Sequence, residues 1–179
     1  MNNEHQIRNG EICQYCENKS NIILTWKLLK SVDINEHYFS LYCKNCYDVY
    51  VGCHKGIQES LGILSDLFLR NAKSECHKKF DFIWQNYSYI EKADKDAAKK
   101  FCYMWLNEFF EFKAEDNFNH IGKLFFNECI KLLKFLSSEE GVEIVYEFIQ
   151  RKFNKSLGKS YTFKDKQKID YDYFDKNSC

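Results

Sequence analysis

Apolar residues along the chain change period near residue 60. Residues 21–30 (NIILTWKLLK) and 37–43 (HYFSLYC) are rich in aliphatic, β-branched and aromatic side chains, with Ser31, Asp33 and Asn35 between them. A third short run, Val49–Val51, ends at Gly52. This pattern predicts three short antiparallel strands. From Ser60 onward, Leu61, Leu64, Phe68, Ala72, Cys76, Phe80, Ile83 and Tyr87 recur in steps of mostly three or four. That spacing predicts one amphipathic helix over 60–86, with Gly62 weakening only its first turn.

Asp94 is the expected N-cap of a helix over 95–111, with Ala97, Ala98, Phe101, Trp105, Leu106 and Phe109 on its apolar side. The polar stretch Lys113–Asn119 ends it. A third helical region is expected over 121–136, using Leu124, Phe125, Ile130, Leu133 and Leu136. Ser137 with Glu140 three residues later has the form of a capping box, opening a fourth helix to about Phe153. From Asn154 the chain is polar and expected to be poorly ordered. The fold class is therefore α+β: a small sheet module over 1–56 packed with a helical domain over 57–153, then a tail over 154–179.

Composition narrows the function classes. The hydrophobic fraction of 45% supports a packed core. The 26 basic and 26 acidic residues balance, and the balance holds within residues 1–55, 56–136 and 137–179. A binder that neutralises phosphates usually carries a basic domain, and none is present here. The aromatic fraction of 17% accompanies abundant Ile, Lys and Asn, so aromatic richness by itself carries no functional argument. The first residues are polar, no run is long enough to span a membrane, and nine cysteines are an odd number. A cytoplasmic address is expected, where paired cysteines point to metal or redox chemistry.

The strongest chemical signal is C-x2-C, 26 residues, C-x2-C: Cys13, Cys16, Cys43 and Cys46. Two intervening residues let both sulfurs of a pair reach one ion from a tight turn, and two such turns complete a tetrahedral shell. A redox dithiol would sit beside a βαβ unit, which the pattern lacks. One structural zinc is expected, on a zinc ribbon. A closed four-thiolate shell leaves no position for substrate, and four thiolates on a dication carry a charge of about −2.

Other residues carry weaker signals. Cys53-His54 is either part of a second metal site, a thiolate beside an imidazole, or a small turn with Cys53 packed under the ribbon; the turn is preferred. Arg70, His77, Asp81 and Trp84 share one stripe of the long helix, and a His-Asp pair four residues apart is more often structural than catalytic. Cys76, Cys102 and Cys129 read as core residues, and Cys179 as a free exposed thiol. Arg151–Lys168 holds seven basic residues against Asp165, interleaved with Phe153, Tyr161 and Phe163. Arg151, Lys152, Lys155, Lys159 and Lys164 are thus candidates for nucleic-acid contact. The alternative, which is preferred, is a solvated helix end offset by Asp170, Asp172 and Asp175.

Taken in order, Cys13-Gln14-Tyr15-Cys16, Tyr42-Cys43-Lys44-Asn45-Cys46, Val51-Gly52-Cys53-His54-Lys55-Gly56, Leu61-Gly62, Leu69-Arg70, Cys76-His77, Phe80-Asp81 and Trp84 form a longer pattern. Tyr103-Met104-Trp105-Leu106, His120-Ile121-Gly122, Phe125 and Cys129 continue it. Over roughly residues 12–133 the chain resembles the zinc-finger-containing domain family of unknown function, found in many bacterial genomes and often in prophage or phage regions. Asp48-Val49-Tyr50 departs from that pattern, which more typically has a small residue there. The resemblance implies a zinc ribbon with helices, and gives Cys53, His54, His77, Asp81 and His120 more weight as a second metal or functional site. The leading expectation is a non-enzymatic phage- or prophage-type module, binding nucleic acid or protein, with no membrane partner and no small-molecule cofactor. The rivals are a metal-dependent hydrolase or nuclease using a second ion at His54, His77 and Asp81, and an adaptor that blocks a host factor.

Overall fold

The computed structural model describes residues 3–29, 38–112 and 120–157. The chain forms two compact units: Met1–Cys76 with Lys113–Lys131, and His77–Phe112 with Leu132–Cys179. In the first unit, helix α1 (Asn3–Arg8) precedes strand β1 (Asn21–Leu24), helix α2 (Thr25–Leu29), and strands β2 (Phe39–Tyr42) and β3 (Tyr50–Gly52). The strands form one antiparallel sheet in the order β1-β2-β3, with Asn21 opposite Tyr42 and Ser40 opposite Gly52. The fold class read from the sequence is the one observed.

The first strand is shorter than its apolar run. After Leu24 one further rung, from the Thr25 N–H to the Tyr38 carbonyl at 2.8 Å, closes the ladder. The chain then enters α2, whose Lys27, Leu28 and Leu29 are good helix formers. The turn residues Ser31, Asp33 and Asn35 fall outside the described residues, as does the stretch Lys113–Asn119.

The long helix, α3, spans Leu67–Ile90, not 60–86. Residues 60–65 are not helical but bend along β3: Leu61 donates to the Gly52 carbonyl at 2.9 Å and Ser65 to the Tyr50 carbonyl at 3.0 Å, covering its outer edge. Leu61 and Leu64 have helical spacing only by coincidence, and the adjacent Ile63 and Leu64 are both fully buried. Asp66 sets the true start, its Oδ1 accepting from the Leu69 N–H at 2.8 Å.

Gly62 therefore does not weaken a helix. It lies where residues 61–63 cross residues 120–122, near a 3₁₀ turn (Ile121–Lys123). A Cβ on Gly62 would sit 1.9 Å from the Gly122 carbonyl oxygen, and one on Gly122 would sit 2.2 Å from that of Leu61. The Ile63 N–H donates to the Gly122 carbonyl at 2.9 Å. Lys73, only 8% exposed, sends its ammonium to that same carbonyl at 2.7 Å and to Ser65 Oγ at 2.9 Å. Burial lowers its pKa to about 8. Nearby, the buried Arg8 of α1 makes two hydrogen bonds to the Glu128 carboxylate, at 2.9 and 2.7 Å, and one to the Lys123 carbonyl at 2.7 Å.

The expected helix over 121–136 is the 3₁₀ turn followed by α5 (Phe126–Phe135). Ile130 is 47% exposed, and Leu132 is buried instead. In the second unit, α4 (Lys95–Phe110) is capped as expected by Asp94, which accepts from the Ala97 N–H at 2.8 Å. It packs against α6 (Glu139–Ser156). The α6 cap is Ser138, accepting from Gly141, whereas Ser137 Oγ donates back to the Leu133 carbonyl. The register differs by one residue because Ser137 is still tied to the end of α5. Helix α6 also runs past the expected end at Phe153, so the polar tail begins later than Asn154; its remainder from residue 158, with Cys179, lies outside the described residues. Phe80 packs on Tyr103 and Trp105, and Trp105 stacks on Phe109 and Phe135. Cys76, Cys102 and Cys129 are fully buried core residues.

Two outcomes follow from the crossing. Gly62→Ala or Gly122→Ala drives a methyl into backbone, and each is expected to lower the stability measured by urea unfolding by roughly 3 kcal/mol. Gly56→Ala, at φ +78 with nothing within 4 Å, is expected to cost about 1 kcal/mol. For Lys73 the folded pKa lies below the unfolded one, so between about pH 8 and 10.5 the unfolded chain binds more protons. Stability from this group therefore rises with pH across that window, by up to ~3 kcal/mol, and the rise is absent in Lys73→Met.

Candidate metal centre

Two turns of different length bring the thiols together. The first closes when the Cys13 N–H donates to the Asn18 carbonyl at 2.9 Å, and the second when the Cys43 N–H donates to the Val49 carbonyl at 2.9 Å. Each places a non-glycine residue in the left-handed region, Glu17 at φ 59 and Asp48 at φ 55. This explains why a small residue suits the position of Asp48. An aspartate tolerates that conformation better than most side chains. Here its carboxylate also takes the Arg70 guanidinium, which donates at 2.8 Å to the Asp48 carbonyl and lies over the Tyr50 ring. Arg70 thus fastens the second turn to the first turn of α3.

The four sulfurs lie within 4.8 Å of one another, with Cys16 3.4 Å from Cys43 and Cys13 3.9 Å from Cys46. A tetrahedron with zinc–sulfur bonds of about 2.3 Å has edges of about 3.8 Å. The donor set, spacing and size match structural zinc, and one zinc is held here by Cys13, Cys16, Cys43 and Cys46. The sulfurs rest on an apolar base of Val49 and Leu64, flanked by Leu41 and Val51.

The electrostatics call for a cation. Burial pushes the Cys13 thiol up even though the Tyr15 and Cys16 N–H groups point at its sulfur, and the neighbouring Cys43 and Cys16 thiols push the same way. At Cys16 the Asn18 side-chain amide, then the Asn18 N–H, hold the thiol down at about 6. Four clustered thiolates repel one another, and a bound dication makes full ionisation favourable. Asn18, Asp48, Arg70 and Leu64 all support the site. Only proximity to the cysteines could have flagged Asn18 and Asp48, and the spacing of Leu64 pointed to a helix face and not to the base of the sulfurs.

The other candidates each have a local place in the fold. Cys53 is buried and continues the β3 ladder, its N–H donating to the Phe39 carbonyl at 2.9 Å, and burial raises its thiol pKa. His54 is exposed, and its N–H donates to the Glu59 carbonyl at 2.8 Å. His120 caps the 3₁₀ turn: its Nδ1 accepts from the Gly122 N–H at 2.9 Å, which puts the proton of the neutral ring on Nε2. In the second unit, Asp81 accepts from Trp84 Nε1 at 2.8 Å, and His77 is half-buried. Among the described residues, the four cysteines are the one group of three or more Cys, His, Asp or Glu side chains placed to share an ion. Arg151, Lys152 and Lys155 lie on α6, where Arg151 and Lys152 sit over the Phe148 ring and Lys152 pairs with Glu108. Lys159 and Lys164 fall outside the described residues.

Replacing the buried Cys43 with serine is expected to reduce zinc from one equivalent to none by elemental analysis, and to abolish cooperative unfolding of the sheet. Acidification should release the metal from the parent chain, because protons compete for the thiolates; zinc retention must fall as pH falls.

No curated protein and no solved structure matches the chain. The zinc-finger-containing domain family matches residues 9–139, from just before the first cysteine turn to the cap of α6, and the chain belongs to that family.

Proposed function

We propose that the chain is a non-enzymatic, zinc-structured module that binds a protein partner through its zinc-bearing unit. The observation that carries this reading is the closed thiolate shell together with the side chains around it. Four thiolates leave zinc no open position, so the metal shapes a surface and does not activate water. Around the cysteine turns and the first turn of α3, Tyr47 is 98% exposed, Phe68 75%, Leu67 54% and Tyr15 45%. The Tyr15 hydroxyl accepts from the Asp66 N–H at 3.3 Å, which ties the first cysteine turn to the start of α3. Aromatic and aliphatic side chains at this density are characteristic of contact surfaces between proteins.

Charge points the same way. The zinc site itself is negative, and Glu17 next to Cys16 is matched by Lys44 between Cys43 and Cys46, so this end of the unit has no basic surplus for a phosphate backbone. The basic side chains of α6 are partly engaged by Glu108 and Phe148. A phage or prophage setting is supported by the family resemblance alone. Among the described residues, no helix is long and apolar enough to cross a membrane.

A photo-crosslinking amino acid in place of the fully exposed Tyr47, irradiated in producing cells, is expected to yield protein adducts. Adducts to nucleic acid, or retention of the purified chain on DNA or RNA that falls steeply with salt, would replace this reading with nucleic-acid binding.

A further inference from the structure

The outer edge of β1 presents main-chain groups of Ile22 and Leu24 away from the sheet. The Thr25 N–H donates inward to Tyr38, so in a ladder of period two Asn21 and Ile23 also face β2, and Ile22 and Leu24 turn their N–H groups to the outside. The far side of the sheet is closed, since residues 60–65 cover β3. Among the described residues, the near side is closed only at its start. There the Ser20 N–H donates to the Glu11 carbonyl at 2.8 Å, and Ile12 bridges Lys19. By the same alternation, Ser20, Ile22 and Leu24 share this edge. Glu11 and Ile12 fill its first rung, and among the described residues nothing bonds the Ile22 N–H or C=O.

Sheets usually protect such an edge with lysine, proline or a bulge. β1 reads Asn-Ile-Ile-Leu, carries no charge, and exposes 43% of Ile22. We propose that this edge docks an extended segment of the protein partner, which continues the ladder begun by Glu11 and Ile12 and adds a strand beside β1. The chemistry selects that occupant. Alternating main-chain donors and acceptors match an extended polypeptide. The strand offers no cation to a phosphate, and its apolar Ile22 favours an apolar side chain opposite. The proposal rests on the protein-binding reading above.

The test selects dodecapeptides from a random displayed library on the full zinc-loaded chain and maps the best binder by amide NMR. The expected result is shifts centred on Ile22 and Leu24, slower exchange of the Ile22 amide on binding, and affinity about tenfold weaker for Ile22→Pro. That proline removes only an outward N–H, a position where edge strands tolerate it; one equivalent of zinc verifies folding. Ile22→Lys, which keeps the N–H and adds an edge charge, is expected to weaken binding likewise and serves if the proline variant does not fold. Shifts elsewhere, or unchanged affinity in the variants, would overturn edge docking and leave protein binding standing. Failure to select any binder, an Ile22 amide already protected in the free chain, or concentration-dependent self-association through β1 would also overturn it. Nucleic-acid binding with no peptide binding would overturn both readings.

Discussion

The first unit depends on bonds between four sulfurs and one ion. Its strands are three or four residues long, and a sheet of that size is marginal in water. Cys13 stands before β1, and Cys43 directly follows β2, so one zinc holds the chain at both ends of the hairpin region. Val49 and Leu64 then pack beneath the sulfurs, and Arg70 reaches from α3 to hold the second turn through Asp48. The metal thus does for this unit what a larger apolar core does elsewhere.

A second constraint organises the rest of that unit. Gly62 and Gly122 are 60 positions apart, yet each is required by the other, because their backbones pass too close for any Cβ. Lys73 and His120 both serve this crossing, one by donating to the Gly122 carbonyl and the other by accepting its N–H. Buried polar groups must find partners, and here a lysine and a histidine satisfy main chain. Several pieces of the family pattern that look like separate motifs are parts of one contact.

These two constraints differ in how far the sequence reveals them. Cysteine spacing is local, and ligand geometry demands it, so the zinc site was legible from four positions. Asp94 was equally readable as a cap because its partner lies three residues away. The start of α3 was not, since Leu61 and Leu64 have helical spacing while lying in a non-helical segment whose bonds go to β3 and Gly122. Ser137 and Glu140 fit a capping box in sequence, whereas the cap is Ser138 because Ser137 is still bonded to the end of α5. Arg8 gave no signal at all: a charge in a polar N-terminal segment is buried only because Glu128, more than a hundred residues away, meets it. Side chains whose partners are distant in the chain look like surface residues until the fold brings those partners together.

The discontinuity of the first unit has a consequence for how the protein is made. Its metal turns are complete once Val49 has left the ribosome, but Gly122, which locks the segment after β3, is synthesised about 73 residues later. At 5–20 residues per second that interval lasts roughly 4–15 s. For that time the nascent ribbon must rest on zinc and its short sheet, with Ile63 and Leu64 lacking part of their cover. The ion is thus a timing element as much as a staple, and zinc starvation would act first on chains still being translated.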